Sequence, residues 1–284
     1  MSFTMSRHYA RDSRSQRGIG RRLIRDLVVR ETGRQSALDL GCGPGTLTAE
    51  LAAALPRARV VGMDRSAESL AQARRASRGF EFVRGDFRRP PARLKGRFDL
   101  VFSNEALHWT PLPPRRLLDG RFFYRFLPTA RGADYRRWAE ARWLEGLRGV
   151  ASLLAPGGRA IMQFGGHGQL IELFESMRRA FDAPELERAR RSFRYPTYYP
   201  TCSAAVRLAR RAGLRPRAVR AWTEPLAEKT PVEIVAFTRA FTEPALRELL
   251  APHRVKLFYR RLGNDLRRER RRILWRHVLI VADR

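Results

Sequence analysis

The segment "SALDLGCGPGTLTAEL", Ser36 to Leu51, places three glycines in five positions between a short apolar run and a stretch of helical composition. Ala37-Leu38-Asp39-Leu40 is apolar, brief and bounded by glycine, as a buried parallel strand is, and Thr48 to Leu55 suits a helix. Gly41, Gly43 and Gly45 therefore fall at a strand-to-helix turn. Residues without a Cβ tolerate positive φ and let a ligand lie against bare backbone, so the turn opens a space at the carboxyl end of its strand.

The rest of the chain repeats the same alternation. "ARVVGMDRS" reads as a second strand ending in Asp64, "FEFVRGDF" as a third ending near Asp86, and "RFDLVFSNEALHW" as a fourth ending near Asn104. "LLAPGGRAIMQFGG" is a helix end, a Pro-Gly-Gly turn and a fifth strand, and "LRPRAVRAW" and "RHVLIVAD" supply a sixth and a seventh. Strands alternating with helices predict an α/β fold: a doubly wound, mostly parallel seven-stranded sheet with helical cap insertions. Two segments stand outside the alternation. Thr110 to Leu147 interleaves Phe122, Phe123, Tyr124, Phe126, Tyr135, Trp138 and Trp143 with arginines, and Gln169 to Pro200 ends in "FRYPTYYPT". One domain over 1–284 is expected: an N-terminal helical lid at 1–35, a cofactor-binding core at 36–109 and 149–165, caps at 110–148 and 166–200, and the remaining sheet and helices at 201–284.

Charge limits the partners. Of 57 basic residues only Lys95, Lys229 and Lys256 are lysine, and the formal balance is +29. An exchange of Lys for Arg leaves charge unchanged, so the surplus over 28 acids predicts non-specific attraction to nucleic acid or an anionic membrane surface. Cys42 and Cys202 offer neither a metal-ligand spacing nor a disulfide framework, so no metal and a reducing, cytoplasmic setting are expected. No run reaches the roughly 18 apolar residues of a membrane span. The opening segment lacks the apolar stretch of a secretory signal, although its Arg and Ser content resembles a transit peptide.

A glycine turn followed about 20 residues later by an acid serves both dinucleotide oxidoreductases and methyltransferases that use S-adenosylmethionine. Spacing separates them. Dinucleotide sites use G-x-G-x-x-G, whereas "LDLGCGPGT" is G-x-G-x-G with Asp39 two residues ahead, where a carboxylate would repel a pyrophosphate. Such an acid suits the ammonium of a methionine moiety, whose carboxylate would meet backbone N–H groups. With "VVGMD", "VRGDF" and "FDLVFSNEALHW" following in order, the sequence resembles the class I S-adenosylmethionine-dependent methyltransferases. Within them it is similar to the trans-aconitate and malonyl-carrier-protein methyltransferases, through the Tyr9 to Gln16 element, "SNEALHW" and "FRYPTYYPT…LARRAGL".

The resemblance implies S-adenosylmethionine as cofactor. Gly41, Gly43 and Gly45, with Cys42 between them, would approach the methionine moiety, and Asp64, followed by Arg65, would bind the ribose. Asp86 and Phe87 would hold the adenine, Asn104 to Leu107, including Ala106, would line the sulfonium end, and Tyr9 and Gln16 would close over the cofactor. His108 and Trp109 would stand at the substrate mouth, with Tyr124 as a further acceptor contact. A carboxylate acceptor, small or carrier-bound, is ionised at neutral pH and needs no base. For a phenol or alcohol, His108 would be the catalytic base. The basic surface and the Arg121 to Trp143 aromatics raise RNA methylation as the alternative. The chain is longer between Trp109 and "LLAPGG" than these relatives usually are, which leaves acceptor identity open.

Overall fold

The structure, a computed structural model, describes residues 14–109, 130–193, 197–228, 230–270 and 272–284. Its strands are β1 (Ser36–Leu40), β2 (Arg59–Asp64), β3 (Glu81–Arg84), β4 (Phe98–Asn104), β5 (Leu154–Gly165), β6 (Arg215–Pro225) and β7 (Leu274–Asp283). They form one sheet in the order β3-β2-β1-β4-β5-β7-β6. β1 to β5 pair in parallel, and β7 runs antiparallel to both β5 and β6. The expected mostly parallel seven-stranded sheet is present, and its chain order turns back beside β1, where the two halves of a doubly wound sheet leave a crevice at the strand ends.

Alternation along the central strands builds two cores. On one face Ala37, Leu100, Phe102 and Ile161 pack beneath α1 (Arg14–Asp26), α2 (Thr46–Ala54), α5 (Ile171–Ala180), α8 (Pro231–Leu249) and α9 (Pro252–Glu269). On the other Leu38, Leu40, Val101, Ala160, Met162 and Ile280 meet α4 (Ala130–Leu153) and α7 (Cys202–Arg211). A third, small cluster joins Cys42 and Phe82 to Leu70 and Ala73 of α3 (Ala67–Ala76). Local chemistry starts several helices: Ser66 accepts from Ser69 N–H, Thr201 from Ala204 N–H, and Thr230 and Glu233 form a reciprocal capping box. A short helix α6 (Glu187–Ser192) follows α5.

The expected caps are corrected in two places. The second half of the 110–148 segment is α4, the crossover helix between β4 and β5. Its Tyr135, Ala139, Trp143, Leu147 and Val150 recur every three or four residues and are buried against the sheet. Trp143 is 1% exposed, sets its ring edge-on to Phe164 at 5.0 Å and donates its indole N–H to Leu107 O at 2.9 Å. It is a core residue, not a lid. In the 166–200 segment Leu173, Phe174, Met177, Phe181 and Phe193 join the first core, and Arg179 of α5 holds Asp265 of α9. Tyr124, with Phe122, Phe123 and Phe126, lies outside the described residues, as does Tyr9.

Candidate cofactor cleft

Beyond the carboxyl end of β1 the chain makes a tight, cross-braced turn. Met63 O accepts from Gly41 N–H at 2.7 Å and from Cys42 N–H at 3.1 Å, and Gly45 N–H closes onto Cys42 O at 3.0 Å. Asp64 ties the turn to β2, taking Gly43 N–H on Oδ2 at 3.0 Å and Ser66 N–H on Oδ1 at 2.8 Å. Gly41 and Gly43 have φ of 76° and 53°. A Cβ on Gly41 would stand 2.3 Å from Ala106 Cβ, whereas nothing lies within 4 Å of one built on Gly43. The first glycine lets β1 and the β4 end approach, and the second leaves bare backbone toward open space.

That space is a cleft of about 990 Å³, including its open mouth. Of the residues singled out in the sequence, Gln16, Gly41, Cys42, Gly43, Asp64, Arg65, Phe87, Asn104, Ala106 and Trp109 line it. Sequence reasoning missed Arg17, Pro44, Thr46, Leu47, Met63, Ser66, Ser69 and Gly85, and gave Glu105 no role of its own. Of these, Thr46 and Leu47 had a signal: they open a helix directly after the glycine turn.

Five expected residues stand elsewhere. Leu107 is 1% exposed in the second core, its carbonyl taking the Trp143 indole N–H. Asp39 is 2% exposed and accepts the Thr48 hydroxyl at 2.6 Å on the inner side of the turn. Burial pushes its carboxyl up to about 7, and it braces α2 rather than meeting an ammonium in the cleft. Gly45 packs against Ala73 and Phe82. Asp86 is turned onto Arg88, whose backbone N–H and guanidinium both hold it. Although burial pushes the Asp86 carboxyl up, these bonds keep it below the ordinary range, and its neighbours Gly85 and Phe87 form the wall instead. His108 is 4% exposed, and its Nδ1 accepts Gly165 N–H at 3.2 Å. Burial lowers its pKa against the pull of Glu105, so the ring is a neutral brace between Trp109 and Tyr199 rather than a base on the cleft. Burial likewise raises the Cys42 thiol well above its usual value.

The turn amides are thus spent internally, and a carboxylate entering the cleft finds another donor set. α2 begins at Gly45 with no side-chain cap, so its first-turn N–H groups and dipole are open beside Thr46 and Leu47, with Arg17 on the same wall. Opposite, α1 crosses the β4 end, where Asn104 Nδ2 donates to Gln16 O at 2.9 Å. Two buried amide oxygens, Gln16 Oε1 and Asn104 Oδ1, have no partner among the described residues. They are acceptors placed for an ammonium. Asp64, with lone pairs left on both oxygens, suits a vicinal diol.

Residues 37–120 match a family described as a methyltransferase domain. These residues carry a methyltransferase domain. Malonyl-[acyl-carrier protein] O-methyltransferase of Legionella pneumophila is 40% identical over 116 residues, which are 39% of this chain and 40% of that protein. Trans-aconitate 2-methyltransferase of Deinococcus radiodurans is 43% identical over 96 residues, 33% of this chain and 36% of that protein. These alignments thus span well under half of each relative. The fold likeness reaches further: a loganic acid methyltransferase structure superposes with a TM-score of 0.76 over 97% of this chain and 96% of that one, at 15% identity. S-adenosylmethionine is the methyltransferase domain's cofactor, and the cleft fits it. Among the groups on its wall, Asp64 is suited to a diol, the Gln16 and Asn104 oxygens to an ammonium, and the α2 N-terminus to a carboxylate. No helix among the described residues is long and apolar enough to cross a membrane.

Proposed function

We propose that the chain transfers a methyl group from S-adenosylmethionine to a carboxylate oxygen of a small or carrier-held acid. The observation that carries this reading is the absence of an available base on the cleft wall among the described residues. Asp64 is bound to two backbone amides and, in this reading, to the ribose, Glu105 to Gln163, His108 to Gly165, and the Cys42 thiol is held protonated by burial. Such a wall serves an acceptor that is already ionised. The two curated relatives bear the names of carboxylic acid acceptors, which supports the same choice.

When bound, the cofactor supplies an electrophilic methyl whose C–S bond breaks as a C–O bond forms, leaving a methyl ester and a neutral thioether with no proton transferred. The protein's task is placement and exclusion of water. Asp64 and the glycine turn fix the ribose end, and α1, held by Asn104 on Gln16 O, closes over the methionine end. Trp109, bridged to Thr197, walls the acceptor side.

The test is transfer of labelled methyl to a panel of di- and tricarboxylic acids, malonyl-acyl-carrier protein and total RNA, followed by mild alkali. Label in an acid, released as methanol, is the expected result. Alkali-stable label, or label in RNA alone, would reject the carboxylate acceptor.

A further inference from the structure

Glu105 is the residue after β4, and its backbone has φ of 53°, a left-handed conformation that a glutamate adopts at a cost. It lines the cleft, yet the residue is only 7% exposed. Its carboxylate reaches inward to a polar cluster beneath the wall. Gln163 Nε2 donates to Glu105 Oε1 at 2.6 Å, and Gln163 Oε1 takes Glu105 N–H at 3.2 Å. His277 Nδ1 lies 3.4 Å from Oε1, and His108 Nδ1 lies 3.8 Å from Oε2.

The company this acid keeps is unusual for the chain. Four acids are buried among the described residues: Asp39, Glu105, Asp265 and Asp283. Asp265 is gripped by Arg179, and Asp283 by Arg159 and Arg217. Asp39 is raised toward neutrality by burial. Glu105 has no arginine or lysine within ion-pair distance among the described residues, in a chain with 57 basic residues. Burial pushes its carboxyl up, but hydrogen bonding to His277 and Gln163 brings it below the ordinary carboxylate range. A buried carboxylate thus lies just beneath the cleft wall with an amide and two imidazoles, and no guanidinium, as its neighbours.

The cleft's layout says what it faces. With the ribose assigned to Asp64, the adenine arm would run toward Gly85 and Phe87 and the methionine arm toward Gln16, Asn104 and Glu105, all of which line the cleft. The methionine arm carries the sulfonium. Resting on the cofactor assignment above, we propose that Glu105 is a specificity-determining residue that makes the cleft prefer the positively charged methyl donor over the neutral thioether product. An anion in a poorly hydrated wall attracts a sulfonium and gains nothing from a thioether, so the preference is an electrostatic difference between two ligands of nearly the same shape. The same difference loosens the product after each transfer. Gln163 and His277 are positioning residues that hold the carboxylate beneath the wall.

The test compares dissociation constants of S-adenosylmethionine and S-adenosylhomocysteine for the full chain by calorimetry, with no acceptor present. Glu105→Gln removes the charge and keeps the shape. Glu105→Gly removes the carboxylate at a φ that glycine adopts freely, which keeps the test open should the amide disturb folding. Glu105→Asp retains the charge. Loss of the donor-over-product preference by about tenfold in the Gln and Gly variants, retained in the Asp variant, is the expected result. A parallel loss of both affinities, or an unchanged ratio, overturns the role of Glu105. A wild-type chain that binds neither ligand would instead reject the cofactor assignment on which it rests.

Discussion

Gln16 and Asn104 stand 88 residues apart in the chain and meet at 2.9 Å, the side-chain amide of Asn104 donating to the backbone carbonyl of Gln16. The contact fastens α1 across the end of β4, with Arg22 of the same helix bound to Glu224 of β6 and Arg21 to Glu50 of α2. Both residues line the cleft, and each keeps a buried amide oxygen with no partner among the described residues. A ligand ammonium bound there would satisfy both oxygens, and cofactor binding and α1 docking would then reinforce one another.

Asp64→Ala removes an acceptor of two backbone N–H groups as well as the expected partner of the ribose. Calorimetry should show cofactor affinity reduced by about 1.5–3 kcal/mol, the worth of a hydrogen bond to a charged group. Unchanged affinity would place the ribose elsewhere.

Gly41→Ala forces a Cβ to 2.3 Å from Ala106 Cβ at a φ of 76°. It should destabilise the chain by about 1–3 kcal/mol. Gly18, exposed within α1 with nothing within 4 Å of a Cβ, is the control. Gly18→Ala should stabilise by about 0.5–1 kcal/mol. Equal melting shifts for the two variants would contradict the steric reading of the turn.

Burial pushes Asp39 to about 7 from an unfolded value of 3.8. Between those pH values the folded chain holds a proton that the unfolded chain has released, so this group's contribution to stability falls as pH rises. Asp39→Asn keeps an acceptor for Thr48 and removes the ionisation. At pH 8 it should raise stability by up to about 4 kcal/mol, with no such gain below pH 3.8. Denaturant midpoints at the two extremes measure this, and the same shift at both would disprove it.

Trp143→Ala tests whether α4 belongs to the core. Removing a side chain that is 1% exposed and bonded to Leu107 should cost about 3–5 kcal/mol of stability. A stable variant altered only in acceptor range would return Trp143 to the lid.

The glycine turn, Asp64 and the strand ends were legible in the sequence because each is local: a strand, a turn and a helix fixed by residues within a few positions of one another. The α4 helix was legible too. Tyr135, Ala139, Trp143 and Leu147 share one face at four-residue spacing, but aromatic content among arginines drew the cap reading over the periodicity. Asp86 was placed at the adenine by its motif, and the neighbouring Arg88 took its carboxylate away.

Side-chain direction and partners across strands could be settled only in three dimensions. Gln163 and His277, 114 residues apart, meet because antiparallel β5–β7 pairing sets Gly165 opposite His277. Both then turn toward Glu105, whose N–H binds Gln163 O at the end of the β4–β5 pair. As single polar letters in "AIMQFGG" and "RHVLIVAD" they mark breaks in apolar strands. The sequence by itself determined the strand-turn-helix unit that makes the cofactor cleft, since backbone conformation at glycine and strand burial are local properties. Only the tertiary structure decided which carboxylates face that cleft, because a buried charge takes its role from the partners that long-range strand order brings to it.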